Sequence, residues 1–192
     1  VLYTTGMANH MPGEPRLVEE IADRLEAAFG RRGPQLVVRV YAKDLTGRFA
    51  DTRRRRSDII FSDPIWEPAW LTPLPEDTPL WTSLLAHADV GINVASTVSL
   101  ELCMFDRPVV NIGFNPPGVP EGPVRFADYY DFDHYRKVVG SGAVSIAESI
   151  DDLIVEVRRS LRDPERRSKH RRALMDQMFG STLDGLSGTR VG

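Results

Sequence analysis

Short apolar runs rich in β-branched residues alternate with helix-length segments along most of the chain, and this alternation constrains the fold more than any other feature. VLYTTG opens the sequence, and QLVVRVYAKD, DIIF, VGINVA, PVVNIGF and AVSIA follow at intervals. Between them, residues 14–29 carry Leu17, Val18, Ile21, Leu25, Ala28 and Phe29 at helical spacing, with Pro15 at a first-turn position and Gly30 and Gly33-Pro34 as stops. WTSLLAHAD, STVSLELCMF and IDDLIVEVRRSL read as further helices, and Pro164 opens another that runs to about Phe179. QLVVRVYAKD is apolar on both faces, as a buried parallel strand is. Strands alternating with helices predict an α/β fold, a Rossmann-like doubly wound parallel sheet with right-handed crossovers.

Three regions break the alternation. Residues 64–79, rich in proline and tryptophan, read as an ordered loop in which Trp66 and Trp70, with Trp81 beyond them, serve packing. Residues 115–142 read as a long loop. The last residues, GSTLDGLSGTRVG, have no apolar period and read as a tail that is mobile or docks elsewhere. The expected organisation is therefore a lobe over residues 1–178 and a tail over 179–192. A core strand starting at residue 1 without a methionine leads us to expect one lobe of a longer protein.

With 24 Lys+Arg against 27 Asp+Glu, no single sign of charge dominates the 192 residues, which disfavours a general nucleic-acid binder. Cys103 is the single cysteine, and the four histidines are scattered, so neither a disulfide nor a Cys/His zinc site is expected. A reducing, cytoplasmic setting fits. No stretch approaches the ~18 apolar residues that span a bilayer. The Arg53–Arg56 run reads as a solvated loop, with peripheral contact to an anionic membrane as the alternative. No cofactor or metal is expected: Gly6 lacks the rest of a G-x-G-x-x-G turn, and there is no P-loop.

The chemistry concentrates in NVASTVSLELCMFDRPVVNI, residues 93–112. In an open parallel sheet, ligands bind beyond the carboxyl ends of the strands, where loops lead into helices. Ser96 or Thr97 can cap the helix there, and the uncapped N–H groups favour an anion. Glu101 lies one turn past Thr97 on the same face. The plain alternative is that Ser96 and Thr97 only cap, while Glu101 complements the helix dipole or pairs with Arg107.

These residues carry a resemblance. LLAHADVGINVASTVSLELCMFDRPVVNIGF resembles the strand–S/T–x₃–E–helix–small-Pro–strand segment in the donor-binding lobe of GT-B glycosyltransferases. The resemblance is strongest to bacterial surface-polysaccharide transferases and CDP-glycerol glycerophosphotransferases; the nonhydrolysing UDP-N-acetylglucosamine 2-epimerases share the fold. It implies a nucleotide-activated sugar or polyol as donor and an N-terminal acceptor lobe outside this chain. It also implies that Ser96 and Thr97 cradle the donor diphosphate and that Glu101 accepts from the ribose. Gly6 would allow close backbone approach to the phosphates, and Arg39 and Lys43 would pair with the diphosphate. Tyr41-Ala42 departs from the His-Pro pattern of such proteins. The base would lie near Pro79 and Leu80. His10 could approach the donor or be an ordinary loop histidine, and His134 could wall the cleft or pack between lobes. His87 reads as structural, and His170, with its neighbours Lys169, Arg171 and Arg172, as a solvated face.

Three functions follow as expectations: a donor-binding lobe of a glycosyl- or glycerophosphotransferase, a UDP-sugar 2-epimerase relying on His10 and Glu14, or a non-catalytic Rossmann-like binding module.

Overall fold

The computed structural model describes residues 1–116, 118 and 122–191. Six strands form one parallel sheet: β1 (Leu2–Thr4), β2 (Leu36–Arg39), β3 (Ile59–Ser62), β6 (Gly91–Asn93), β7 (Val109–Ile112) and β8 (Ser145–Ala147), in the order β3-β2-β1-β6-β7-β8. A separate antiparallel hairpin pairs β4 (Trp66–Glu67) with β5 (Thr72–Pro73). The helices are α1 (Glu14–Phe29), α2 (Ala50–Arg55), α3 (Asp77–His87), α4 (Val98–Met104), α5 (Asp133–Gly140), α6 (Ile150–Arg162), α7 (Ser168–Phe179) and α8 (Ser187–Val191).

Successive strand residues point to opposite faces, and the sheet accordingly divides two cores. Tyr3, Val38, Ile92, Val110 and Ile112 face α1 and α6, packing on Leu17, Ile21, Leu153 and Val157. Leu2 and Val109 face the other way, onto Leu85 of α3, Leu102 and Cys103 of α4, Tyr135 and Val138 of α5 and Leu174 of α7. The fold is the expected Rossmann-like, doubly wound α/β architecture. Strand order reverses between β1 and β6, and the crevice above their carboxyl ends is where such sheets take ligands.

Several expectations are corrected. Residues 64–79 are not a plain loop, because the β4–β5 hairpin forms within them, and Trp70 at its tip is 81% exposed rather than packed. The stretch 115–142 contains a 3-10 turn, Phe126–Asp131, followed by α5; its residues 117 and 119–121 lie outside the described part. Arg171 is not on a wet face: it is 2% exposed and its Nε donates to Asp106 at 2.7 Å, tying α7 to the end of α4.

The basic run sits on and just after α2 rather than in a loop. Each of its arginines faces an acid: Arg53 pairs with Asp63, Arg54 with Asp51, Arg55 with Glu19, and Arg56 with Asp23 and Asp58. The four positive charges are thus compensated within the chain. Among the described residues, no helix is long and apolar enough to cross a membrane. The tail holds a 3-10 turn at Gly180–Thr182 and the short helix α8, both exposed.

Candidate functional site

A cleft of about 250 Å³ opens at the topological switch point, lined from the β1 side by Thr4, Thr5, Gly6 and His10, and from the β6 side by Ala95, Ser96 and Thr97. Tyr41, following β2, and Tyr129, from the 3-10 turn after β7, complete its walls. Hydroxyls dominate. Among the described residues, the lining contains no lysine or arginine.

The β1 side is rigidified from below. Glu14, at the start of α1, is 1% exposed and accepts from the Tyr3 hydroxyl at 2.8 Å, from the Gly6 N–H at 3.0 Å and from Arg48 at 2.7 Å. Arg48 also donates to the Gly6 carbonyl at 2.8 Å and to Asp44 at 2.6 Å. Burial pushes the Glu14 carboxyl above its usual range, and Arg48, Gly6 and Tyr3 pull it back only part of the way. The loop after β1 is therefore pinned at Gly6 by a buried charge pair. This has two consequences for the expected roles. Gly6 lines the cleft, but its N–H is spent on Glu14 and is not aimed at a ligand. Its missing Cβ makes room for Met11, since a Cβ there would lie 2.3 Å from the Met11 Sδ. Glu14, for its part, is walled off from the cleft by these partners.

The β6 side turns sharply. Ala95 adopts φ 34°, the left-handed region that costs a residue with a Cβ about 1–3 kcal/mol and persists only where the surroundings enforce it. Ser96 Oγ accepts the Val98 N–H at 3.2 Å, closing the turn into α4. Thr97 is exposed and makes no side-chain cap; its hydroxyl has no partner among the described residues. Beneath this turn lies a buried polar cluster: Asn93 Oδ1 accepts from Ser99 at 3.0 Å and from Asn111 at 2.7 Å, and the Tyr135 hydroxyl lies 2.8 Å from Ser99 Oγ and 3.0 Å from Asn111 Oδ1. The cluster joins β6, β7, α4 and α5 directly below residues 95–97.

One lining group stands out. Thr4 is 6% exposed, and its hydroxyl oxygen, shut off from solvent, has no hydrogen-bond partner among the described residues. Leaving a buried hydroxyl unpaired costs about 1–3 kcal/mol, whereas Thr5 beside it accepts the Tyr41 N–H at 2.8 Å.

Glu101 lies on α4 outside this lining, half-buried between α3 and α4, and accepts from the Trp81 indole at 2.6 Å. Burial raises its carboxyl above the usual range, with the Trp81 hydrogen bond opposing. Its second oxygen has no partner among the described residues. Glu101 lies in the first turn of α4, where the dipole favours an acid, but Arg107 does not pair with it: the Arg107 guanidinium donates to the Ala86 carbonyl.

Arg39 needs a correction. Its guanidinium is buried at the end of β2 and committed to Asp77 at 2.6 Å and to the Asp63 carbonyl at 2.8 Å. It is not among the side chains that line the cleft. Asp77 is the hub of this corner, accepting also from the Ile65 N–H at 2.8 Å and from the Trp66 indole at 3.0 Å, which anchors the β4–β5 hairpin. Burial alone would raise the Asp77 carboxyl, but these donors hold it below its usual value. Lys43 is exposed, outside the lining, and without an ion pair among the described residues. His10 does line the cleft, its Nδ1 2.6 Å from the Tyr129 hydroxyl. His134 does not: it is exposed and packs on Phe132, which in turn meets the edge of Tyr129. The segment expected to wall the cleft through His134 does so through Tyr129. Tyr129 and Thr4 were not singled out from the sequence as parts of the cleft, nor Arg48 as the partner of Glu14 beneath it, because only the crossover brings residues 4, 14, 48 and 129 together.

No protein-family model matches the chain. No curated protein matches it by sequence either. Among solved structures it is similar to the UDP-GlcNAc 2-epimerase of Methanocaldococcus jannaschii, determined in complex with UDP-GlcNAc and UDP, with a TM-score of 0.56 and 13% identity. That match covers 93% of this chain and 45% of the epimerase. It is also similar to TarM, with a TM-score of 0.49 and 13% identity over 98% of this chain and 34% of that one. The chain thus spans less than half the length of either protein. At such identity the likeness to the epimerase is one of fold, and it places the six-stranded parallel sheet and its helices within a Rossmann-like lobe.

Proposed function

We propose that this chain is the donor-binding lobe of a GT-B type glycosyl- or glycerophosphotransferase that uses a nucleotide-activated sugar or polyol, as in surface-polysaccharide synthesis. The observation that carries the reading is the hydroxyl-lined cleft at the switch point, with the buried Thr4 hydroxyl left unpaired beside it. Support also comes from the fold neighbour, which was determined with UDP-GlcNAc and UDP.

In this reading the diphosphate lies against residues 95–97. Ser96 Oγ already accepts the Val98 N–H, so Thr97 is the hydroxyl available to donate to a phosphate oxygen. Glu101, one turn along α4, offers its unclaimed oxygen to the ribose hydroxyls. Such a lobe contributes positioning and stabilisation of the leaving diphosphate; the acceptor and the base of an inverting reaction come from a second lobe. With Arg39 and Arg48 both tied to acids, the cleft offers dipoles rather than free cations, and binding by this lobe alone is expected to be weak, on the order of Kd 10 μM to 1 mM.

The fold neighbour also favours a second reading, a UDP-sugar 2-epimerase. Glu14 is unavailable to it, which leaves His10 as the acid–base group on the loop after β1. Thermal shifts with UDP, CDP, GDP and ADP, for wild type and Glu101→Ala, test the nucleotide reading. A shift with one diphosphate that is lost in the variant supports it, and no shift with any of the four contradicts it. Assaying the full-length protein for transfer or epimerisation separates the two enzymes.

A further inference from the structure

His10 is held twice by the segment that follows β7. Its Nδ1 lies 2.6 Å from the Tyr129 hydroxyl, a contact between residues 119 apart in sequence. Gly122 also packs onto the His10 main chain so closely that a Cβ there would lie 1.9 Å from the His10 carbonyl oxygen. Tyr129 is itself braced by the Phe132 ring, 5.6 Å away in an edge-on arrangement. A loop histidine with no task does not need its ring and backbone fixed by a distant segment.

A hydrogen bond between a neutral phenol and a neutral imidazole can run in either sense. The phenol is the stronger acid and the imidazole lone pair the stronger base, so the Tyr129 O–H donates to His10 Nδ1. Burial raises the Tyr129 pKa, which keeps the phenol protonated. With the Nδ1 lone pair occupied, the ring proton of a neutral His10 belongs on Nε2. Among the described residues Nε2 has no partner, and the cleft lining contains no lysine or arginine to meet an anion.

We propose that Tyr129 is a positioning residue that fixes His10 as its Nε2–H tautomer, so that the ring presents an N–H donor to a phosphate oxygen in the cleft. This rests on the reading of the cleft as a nucleoside-diphosphate site. It assigns the anion-facing donor to His10, in place of the arginine that is locked away on Asp77.

The test uses the whole chain with ¹⁵N-labelled histidine. Long-range imidazole spectra are expected to show His10 as Nε2–H in wild type and as a mixture in Tyr129→Phe. In parallel, UDP, CDP, GDP and ADP are titrated. The diphosphate that binds wild type is expected to bind Tyr129→Phe about fivefold to tenfold more weakly. That loss should vanish in a His10→Gln background, where the amide donates without help from residue 129. Gly122→Ala, which shifts the His10 backbone and leaves Tyr129 intact, should weaken binding in the same direction. A wild-type Nδ1–H tautomer, or a Tyr129→Phe variant that binds as tightly as wild type, overturns this inference alone. Failure of wild type to bind any of the four overturns the diphosphate reading beneath it.

Discussion

The Trp81 indole nitrogen meets one oxygen of the Glu101 carboxylate at 2.6 Å, while the other oxygen has no partner among the described residues. A half-buried acid so placed is costly when charged, because burial raises its pKa and Trp81 offsets only part of that. A carboxyl whose folded pKa is raised contributes stability that is complete below its unfolded value and is lost as pH rises through the folded one. Glu101→Gln keeps an acceptor for Trp81 and removes the charge. The variant is therefore expected to be as stable as wild type at neutral pH, or more so, in urea unfolding. It is expected to lose about 1.5–3 kcal/mol of diphosphate affinity in calorimetry. A variant both less stable and unimpaired in binding contradicts this account of Glu101.

Arg39 and Asp77 carry the opposite sign. The Asp77 carboxyl is held below its usual value, so its contribution is present above the unfolded value and is lost as pH falls through the folded one. Asp77→Asn should flatten the acid side of the stability profile. Arg39→Met leaves Asp77 buried without its partner and should cost about 3–5 kcal/mol in urea unfolding. It should also loosen the β4–β5 hairpin that Asp77 anchors, seen as faster amide exchange at Ile65.

How far these two pairs were legible in the sequence differs, and the difference is instructive. Glu101 could be singled out because a lone carboxylate one turn past Thr97 in an apolar helix is a local pattern. Arg39 was placed correctly at the end of its strand but assigned to the ligand, since its acid lies 38 residues away in α3 and no local pattern announces it. The sheet and its main helices were readable because short apolar β-branched runs and a 3.6-residue apolar period are both local signals. The β4–β5 hairpin was not: two-residue strands with Pro73 in one of them leave no alternation to read.

Arg48→Ala should be among the most damaging single changes on the β1 side. It strips the counter-charge from Glu14 and releases the Gly6 carbonyl, at a cost of about 3–5 kcal/mol. Because the Glu14 pKa is already raised, losing Arg48 raises it further. The stability gap to wild type is then expected to widen as pH increases through and above the carboxylate range. A gap independent of pH contradicts the charge argument.

Tyr135→Phe removes a hydroxyl shared by Ser99 and Asn111 beneath the 95–97 turn. Leaving these buried groups short of a partner should cost about 1–3 kcal/mol. Denaturant midpoints measure this directly, with no change expected in the backbone signals of the β1 side.

The central claim is that the crevice between the ends of β1 and β6 holds a nucleoside diphosphate, and amide chemical-shift mapping of the ¹⁵N-labelled chain during titration with UDP, CDP, GDP and ADP tests it most directly. The account predicts that one of them perturbs residues 4–7 and 95–97 together with the His10 and Trp81 side chains. Perturbations confined to another surface, such as the groove beside Gly30 and Gln35 at the opposite end of the sheet, or none with any of the four, would contradict it.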